Sequence, residues 1–313
     1  MRSRFAPAAA LAAIYLLWGS TFLAIRVAVI HIPPFLMASG RFLVAAALLG
    51  GIAWAFEHPG EIRLAEWRRY GVTGVAMFLG GNGLLTYGEL HVPSGMASVL
   101  IATIPLWMVA IQAARGRLRF HPSMALGLAG GILGVAILVG PAAGRPIDPL
   151  GAGAIVLAAA CWAIGSLAAP SEDALHGPFT VVAIQMAAGG LSLLFVAVVS
   201  GEAGHFDATT VPVTAWAALA WLIVPAGVIT FGSFTYALRV VPSHIVAPYP
   251  FVNSVVAVVL GWGLLSEVVT LRTILGCAVV LTSAGLIVAR TVAGGAPTIR
   301  PTSSRHADEA ATP

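Results

Sequence analysis

Ten stretches of predominantly apolar residues, roughly 7–27, 33–56, 70–88, 94–114, 120–140, 150–169, 179–200, 214–237, 243–265 and 270–290, take up nearly the whole chain. A hydrocarbon core ~30 Å thick takes about 20 helical residues to cross, and each stretch is about that long. The sequence therefore predicts an all-α integral membrane protein with ten transmembrane helices. No loop between the stretches is large enough to fold as a soluble domain. Composition agrees: 59% of the 313 residues are apolar and only 9% are charged, against about 25% charged in a soluble domain.

The charges that remain set topology. Every basic residue is Arg. With the N-terminus in the cytoplasm, twelve of the loop and tail Arg residues face inward, among them Arg2, Arg4, Arg63, Arg68, Arg69, Arg115 and Arg239, whereas Arg26, Arg145 and Arg272 face outward. That bias predicts both termini inside. The Arg residues are scattered over loops and form no aromatic-studded basic face, so nucleic acid is not an expected partner. The N-terminal apolar run continues to about Val27. It is longer than the apolar core of a signal peptide, so it reads as an uncleaved first span after a short cytoplasmic segment, 1–6. The 291–313 tail is rich in Pro, Ser, Thr and Ala without apolar periodicity and reads as disordered.

A twelve-position skeleton occurs twice. Gly83-x-x-Thr86-Tyr87-x4-Val92-Pro93-Ser94 returns 149 positions later as Gly232-x-x-Thr235-Tyr236-x4-Val241-Pro242-Ser243. At a shift of 144, Trp18 faces Trp162, Pro34-Phe35 faces Pro178-Phe179, and Leu49 faces Leu193. One five-residue insertion, placed in the 200–214 connection, reconciles the two shifts. Residues 7–140 and 150–290 are thus each expected to be a five-helix unit. Because five is odd, the second unit lies inverted relative to the first, the arrangement found in secondary transporters. In each copy the Pro stops one helix and the Ser is expected to cap the next.

On the residues Leu17-Trp18-Gly19-Ser20-Thr21, Pro33-Pro34-Phe35, Arg41-Phe42, Gly81-Asn82-Gly83, Val92-Pro93-Ser94-Gly95 and Phe251-Val252-Asn253, the chain resembles an EamA-type permease of the drug/metabolite transporter superfamily, in its YedA-like branch. The resemblance implies ten helices in two inverted repeats, both termini cytoplasmic, a bacterial inner-membrane location, and efflux or exchange of small metabolites. The chain departs from the family pattern twice. Ser254 stands where the ninth span usually has Pro, although its fourth-span counterpart Pro105 is kept. The acidic residue common after the fourth span is replaced by Arg115-Gly116-Arg117, while Glu267 is kept after the ninth.

Arg41 is the sharpest chemical signal. It lies about eight residues into the second span, ~12 Å below the interface, where a guanidinium needs a partner or a wet cavity. It reads either as a docking cation for a substrate carboxylate or as a structural ion pair with Glu89 or Glu267. Glu89 and Glu267 fall at span ends and read as solvated interfacial side chains. With no carboxylate expected at mid-membrane depth, a proton/cation antiporter is disfavoured. Asn82, Gln185 and Asn253 are amides within spans and candidate substrate contacts beside Arg41. Trp18, Tyr87, Trp162 and Tyr236 are candidate apolar walls. Pro105, Pro225, Pro248 and Pro250 interrupt spans four, eight and nine and are candidate kinks or gates.

No HExxH, GxSxG or Walker A pattern is present, and Cys161 and Cys277 have neither metal nor disulfide spacing. Neither cofactor nor metal is expected, and the expected partners are the lipid bilayer and a small-molecule metabolite. A membrane-embedded enzyme, or a scaffold or sensor that transports nothing, are the alternative readings. Neither needs mirrored halves.

Overall fold

The computed structural model describes residues 5–116, 122–139, 148–169, 176–241, 246 and 249–293. Pro248, Ser243 and residues 294–313 of the tail lie outside the described residues. All regular structure among the described residues is helical. Six segments are long and apolar enough to cross a membrane: Ala6–Val29, Pro34–Phe56, Ser94–Ala114, Pro149–Ala168, Pro178–Val199 and Val213–Leu238. Shorter apolar helices occupy Ala125–Leu138, Tyr249–Leu265 and Leu271–Ile287. Large apolar side chains such as Phe195, Leu191 and Trp262 point away from the protein interior, as they do where the surrounding solvent is lipid. The protein is a multi-pass membrane protein.

The helices are α1 (Phe5–Gly19), α2 (Thr21–Val29), α3 (Pro34–Phe56), α4 (Leu64–Gly74), α5 (Leu84–Gly88), α6 (Ser94–Ile101), α7 (Ile104–Ala114), α8 (Pro122–Val139), α9 (Pro149–Ala168), α10 (Pro178–Val199), the single turn α11 (Glu202–His205), α12 (Val213–Ile223), α13 (Thr230–Val240), α14 (Tyr249–Leu265) and α15 (Leu271–Ala293). Prolines open several of them, as at Pro34, Pro149 and Pro178. The missing N–H is no loss in a first turn. Asp148 caps α9 by accepting from the Leu150 N–H at 2.9 Å. Gly201, at φ +81°, ends α10 in the left-handed region that glycine occupies without strain.

Besides the break at Ser20 between α1 and α2, three helical runs are interrupted among the described residues. Between α4 and α5 the chain widens into a π-helical stretch, Val75–Gly83, and between α12 and α13 into another, Val224–Ile229. Their starting residues are 149 positions apart, the shift of the repeated skeleton. A π turn strains the backbone ladder and tends to sit at functional sites. In each stretch a side chain five residues on bonds back to a carbonyl: Asn82 Nδ2 to Met77 O at 3.4 Å and Thr230 Oγ1 to Pro225 O at 2.9 Å. Pro225 lies inside the second stretch. The third interruption, Ala102–Thr103 between α6 and α7, precedes Pro105 in the first turn of α7.

Helices pack pairwise across the two halves of the sequence. α3 runs antiparallel to α10, burying Phe42, Ala45 and Leu49 with Ala183, Met186 and Leu193. α8 runs antiparallel to α15 along a glycine seam. A Cβ built on Gly127, Gly130 or Gly134 would meet Ile287, Ser283 or Val280 within 2.6 Å, so only the missing side chains allow the approach. α1 lies against α13 and α14, α2 against α12, α6 against α14, and α9 against α5 and the first π stretch.

The α3–α10 pair is tied at both ends by carboxylates. Glu57, just past the end of α3, accepts from the N–H groups of Phe179 and Thr180 at 2.9 and 2.8 Å and from the Thr180 hydroxyl at 2.7 Å, at the start of α10. Glu202, just past the end of α10, accepts from the N–H groups of Phe35 and Leu36 at 3.0 Å each, at the start of α3. Each helix thus supplies the anion that the other's N-terminus attracts. Glu267, beyond α14, does the same for α6. It accepts from the N–H and hydroxyl of Ser94 at 2.7 and 2.8 Å and from the Gly95 N–H at 3.1 Å. This corrects the expected role of Ser94. Its hydroxyl is a donor to Glu267 and caps no N–H of its own helix, because a carboxylate from the other half already occupies that position.

Candidate functional site

The helices enclose a cavity of about 340 Å³, within the 300–1,000 Å³ range of small-molecule sites. Its wall draws on both halves: Trp18 and Phe22 from α1 and α2, Arg41 and Phe42 from α3, Phe78 and Asn82 from the first π stretch, Trp162 from α9, Gln185 from α10, Phe231 and Phe234 from α13, and Tyr249 and Asn253 from α14. Neither α8 nor α15 contributes to it.

Six of the eight residues singled out as binding candidates line this space: Trp18, Arg41, Asn82, Trp162, Gln185 and Asn253. The other two are placed elsewhere. Tyr87 stacks on Phe35 at 6.2 Å between ring centroids, nearly parallel, and Tyr236 is exposed on the protein's surface. They share a sequence position in the repeat, and each stands two residues past a lining residue, Leu85 or Phe234, so it faces the opposite side of its helix. Of the prolines, Pro250 lines the cavity, while Pro105 and Pro225 do not.

The polar groups of the wall differ in how much of their capacity is free. Gln185 donates to the Thr73 hydroxyl at 2.9 Å, and that hydroxyl donates on to Tyr70 O at 2.8 Å. Asn253 sits with its amide nitrogen 3.1 Å from the carbonyls of Tyr15 and Tyr249, to which it donates. Trp18 gives its indole N–H to Ala226 O at 3.0 Å and lies about 5 Å from the rings of Phe234 and Tyr249. The bonds from Gln185 to Thr73, from Asn253 to Tyr15 and from Trp18 to Ala226 each tie together helices of the two sequence halves. Next to Asn253, Ser254 donates to the Ser98 carbonyl and to Pro250 O, both at 2.9 Å. The Ser254 hydroxyl therefore links α14 to α6.

Arg41 is different. It is the one charged residue among the described residues lining the cavity, and it is 8% exposed. Its guanidinium carbon lies 4.8 Å from the Phe42 ring centroid, a cation–π geometry. Its Nε has no hydrogen-bond partner among the described residues. Among the described residues no carboxylate stands within ion-pair distance of it. A guanidinium with an unused donor, facing an apolar cavity, is equipped to take a carboxylate.

The two acids expected to be solvated are not. Glu89 is fully buried, and neither carboxyl oxygen has a hydrogen-bond partner among the described residues. Glu267 is engaged with Ser94 and Gly95. Both sit at helix ends in the sequence, but neighbouring helices from the other half cover those ends. Sequence reasoning also missed Glu57 and Glu202 as helix caps and the two π stretches. The only signal for the stretches was the glycine run near Gly80-Gly81 and the mid-span Pro225.

Comparison with known proteins places this geometry. A model of the EamA-like transporter family matches residues 6–140 and 149–289. YedA, an uncharacterized inner membrane transporter of Escherichia coli (strain K12), is 32% identical over 261 residues, covering 82% of each chain. YoaV, an uncharacterized transporter of Bacillus subtilis (strain 168), is 27% identical over 275 residues, covering 83% of this chain and 89% of its own. A crystal structure matches with a TM-score of 0.56 at 20% identity, over 94% of this chain and 100% of that one. At that identity the likeness concerns the fold alone.

Proposed function

The chain belongs to the EamA-like transporter family and is a membrane transporter, and from that premise we propose that it moves a small zwitterionic or anionic metabolite, such as an amino acid, by alternating access. The observation that carries this is Arg41: one buried, incompletely bonded cation in an aromatic cavity whose described lining holds no acid. A carboxylate would complete the guanidinium's hydrogen bonds, and the ligand's apolar body would lie between Trp18 and Trp162. A cationic drug would meet no counter-charge there.

In this reading the molecule is ten spans in two inverted five-helix repeats, 7–140 and 150–290, with both termini cytoplasmic in a bacterial inner membrane. Support comes from the paired packing across the halves, the mutual capping by Glu57 and Glu202, and π stretches that begin at Val75 and Val224. Inverted halves rocking about a central site give alternating access without ATP hydrolysis. Substrate would leave the cell or be exchanged across the membrane.

The test is ligand-induced thermal stabilisation of the purified protein across a metabolite panel. A ligand at one hundred times its Kd stabilises by about 2.7 kcal/mol. Carboxylate-bearing zwitterions are expected to raise the melting temperature of the wild type, and Arg41→Ala is expected to abolish the shift. Stabilisation by quaternary amines alone, unchanged in Arg41→Ala, overturns the reading.

A further inference from the structure

The carboxyl of Glu89 takes no part in the cavity wall, yet it is the least accommodated ionisable group described. It is 0% exposed, and both of its oxygens lack hydrogen-bond partners among the described residues. Its own backbone is secured: its N–H donates to Leu85 O at 2.9 Å, and its carbonyl accepts from the Arg26 guanidinium. The side chain alone is left over. An ionised carboxylate in such a place must be paired and hydrogen-bonded or bear a large desolvation cost, which it avoids by taking up a proton.

The surrounding charges fit that state. Arg26 on α2, Glu267 beyond α14 and Arg41 on α3 act on Glu89 through their fields. Neither arginine reaches its oxygens, since Arg26 is engaged with the Glu89 carbonyl. Glu267 is held beside Ser94 and Gly95, and its negative charge opposes a second one nearby. On the packed α9 side, Asp148 is taken by His91 at 3.1 Å. Glu89 is also four residues beyond Leu85, which lines the cavity, so the distance along the helix is about 6 Å.

We propose that Glu89 is a proton-binding site: it is a neutral carboxyl in this conformation and gives up its proton when transport rearranges α3 and α5 so that Arg41 or water reaches it. The proton comes from and returns to bulk water, so the transporter exchanges one proton as it changes orientation. The substrate carboxylate and the ionised Glu89 carboxylate then compete for one guanidinium, so substrate docking on Arg41 favours the protonated form of Glu89, which couples the two. The coupling rests on the transporter reading above, whereas the protonated state does not.

Two measurements separate them. Infrared spectroscopy of the full-length protein in lipid, with bulk pH stepped, is expected to reveal the carbonyl stretch of a carboxylic acid without hydrogen bonds. The band should vanish in Glu89→Gln and move in Glu89→Asp, which keeps the group if the amide variant folds poorly. No such band in the wild type, or a band unchanged in both variants, overturns the proton site. In proteoliposomes containing a trapped pH dye, labelled amino acids are then offered under a gradient of one pH unit. For one proton per substrate the expected accumulation is at most about tenfold, with matching proton movement. Glu89→Gln should equilibrate substrate without moving protons. Uptake unaccompanied by protons in the wild type overturns the coupling. If no amino acid is taken up, the substrate reading fails, and the infrared band still decides Glu89.

Discussion

A single missing methyl group decides how close two helices come. A Cβ at Gly74 would stand 2.2 Å from the Gln185 carbonyl oxygen and 2.5 Å from its Cα, both backbone atoms that no rotamer change can move. Gly51, on the outside of α3, has nothing within 4 Å of the same position. Gly74→Ala is therefore expected to lower stability by about 1–3 kcal/mol, whereas Gly51→Ala is expected to stay within about 0.5 kcal/mol of the wild type. Thermal unfolding in detergent measures both, and equal effects would contradict the packing. Gly74 also fixes where Gln185 sits, and hence the polar edge of the cavity. The sequence carried both glycines, but nothing in it separated a helix contact from a lipid-facing position, because both lie in uniformly apolar runs. Arg41 was legible for the opposite reason: a charge in a span is rare enough to be noticed alone.

At the scale of helices, the carboxylates at the ends of α3, α10 and α14 act as clasps between the halves of the sequence. Each lies where the macrodipole of another helix attracts an anion, worth up to about 2 kcal/mol in partly buried geometry. Glu57→Gln keeps the shape and loses the charge, and it is expected to cost about 1–2 kcal/mol, read as a fall in the midpoint of thermal unfolding. Burial pushes the Glu202 carboxyl above its ordinary range, and the bonds from Leu36 and Phe35 only partly oppose this. The sign follows: the folded state holds this proton more tightly than the unfolded chain, so the Glu202 contribution falls as pH rises from the ordinary carboxylate pKa through the raised one. Unfolding midpoints compared across that window should decline in the wild type relative to Glu202→Gln. A steeper decline in the variant would refute the assignment. After the fourth span the sequence carries Arg115-Gly116-Arg117. The clasps by Glu202 and Glu267 stand at the end that holds Glu89, and the clasp by Glu57 at the other.

Across the whole molecule the mutual capping fixes direction. α3 is 23 residues long, about 34 Å at helical rise, so its two ends lie on opposite sides of the bilayer. Glu202 meets its beginning and Glu57 lies at its end. In the topology proposed from the inward arginine bias, the Glu57 end is the cytoplasmic one. On a background lacking Cys161 and Cys277, His58→Cys should react with an impermeant thiol reagent only from the cytoplasmic side, and Asp207→Cys only from the opposite side. Reaction of both from one side would refute the inverted arrangement.

Membrane insertion, helical class and the repeated skeleton were determined by the sequence alone, because apolar length and the demand for internal backbone pairing leave helices as the economical answer for such runs. Six of the cavity-lining residues were also legible, since polar and large aromatic side chains stand out against an Ala/Leu background. The tertiary structure decided which helix covers which end. That choice turned Glu89 from an expected surface acid into a buried one, made Glu57, Glu202 and Glu267 into caps for helices far away in the chain, and left Tyr87 and Tyr236 outside the cavity. Burial and hydrogen bonding depend on neighbours more than one hundred residues distant, and a local pattern holds no record of them.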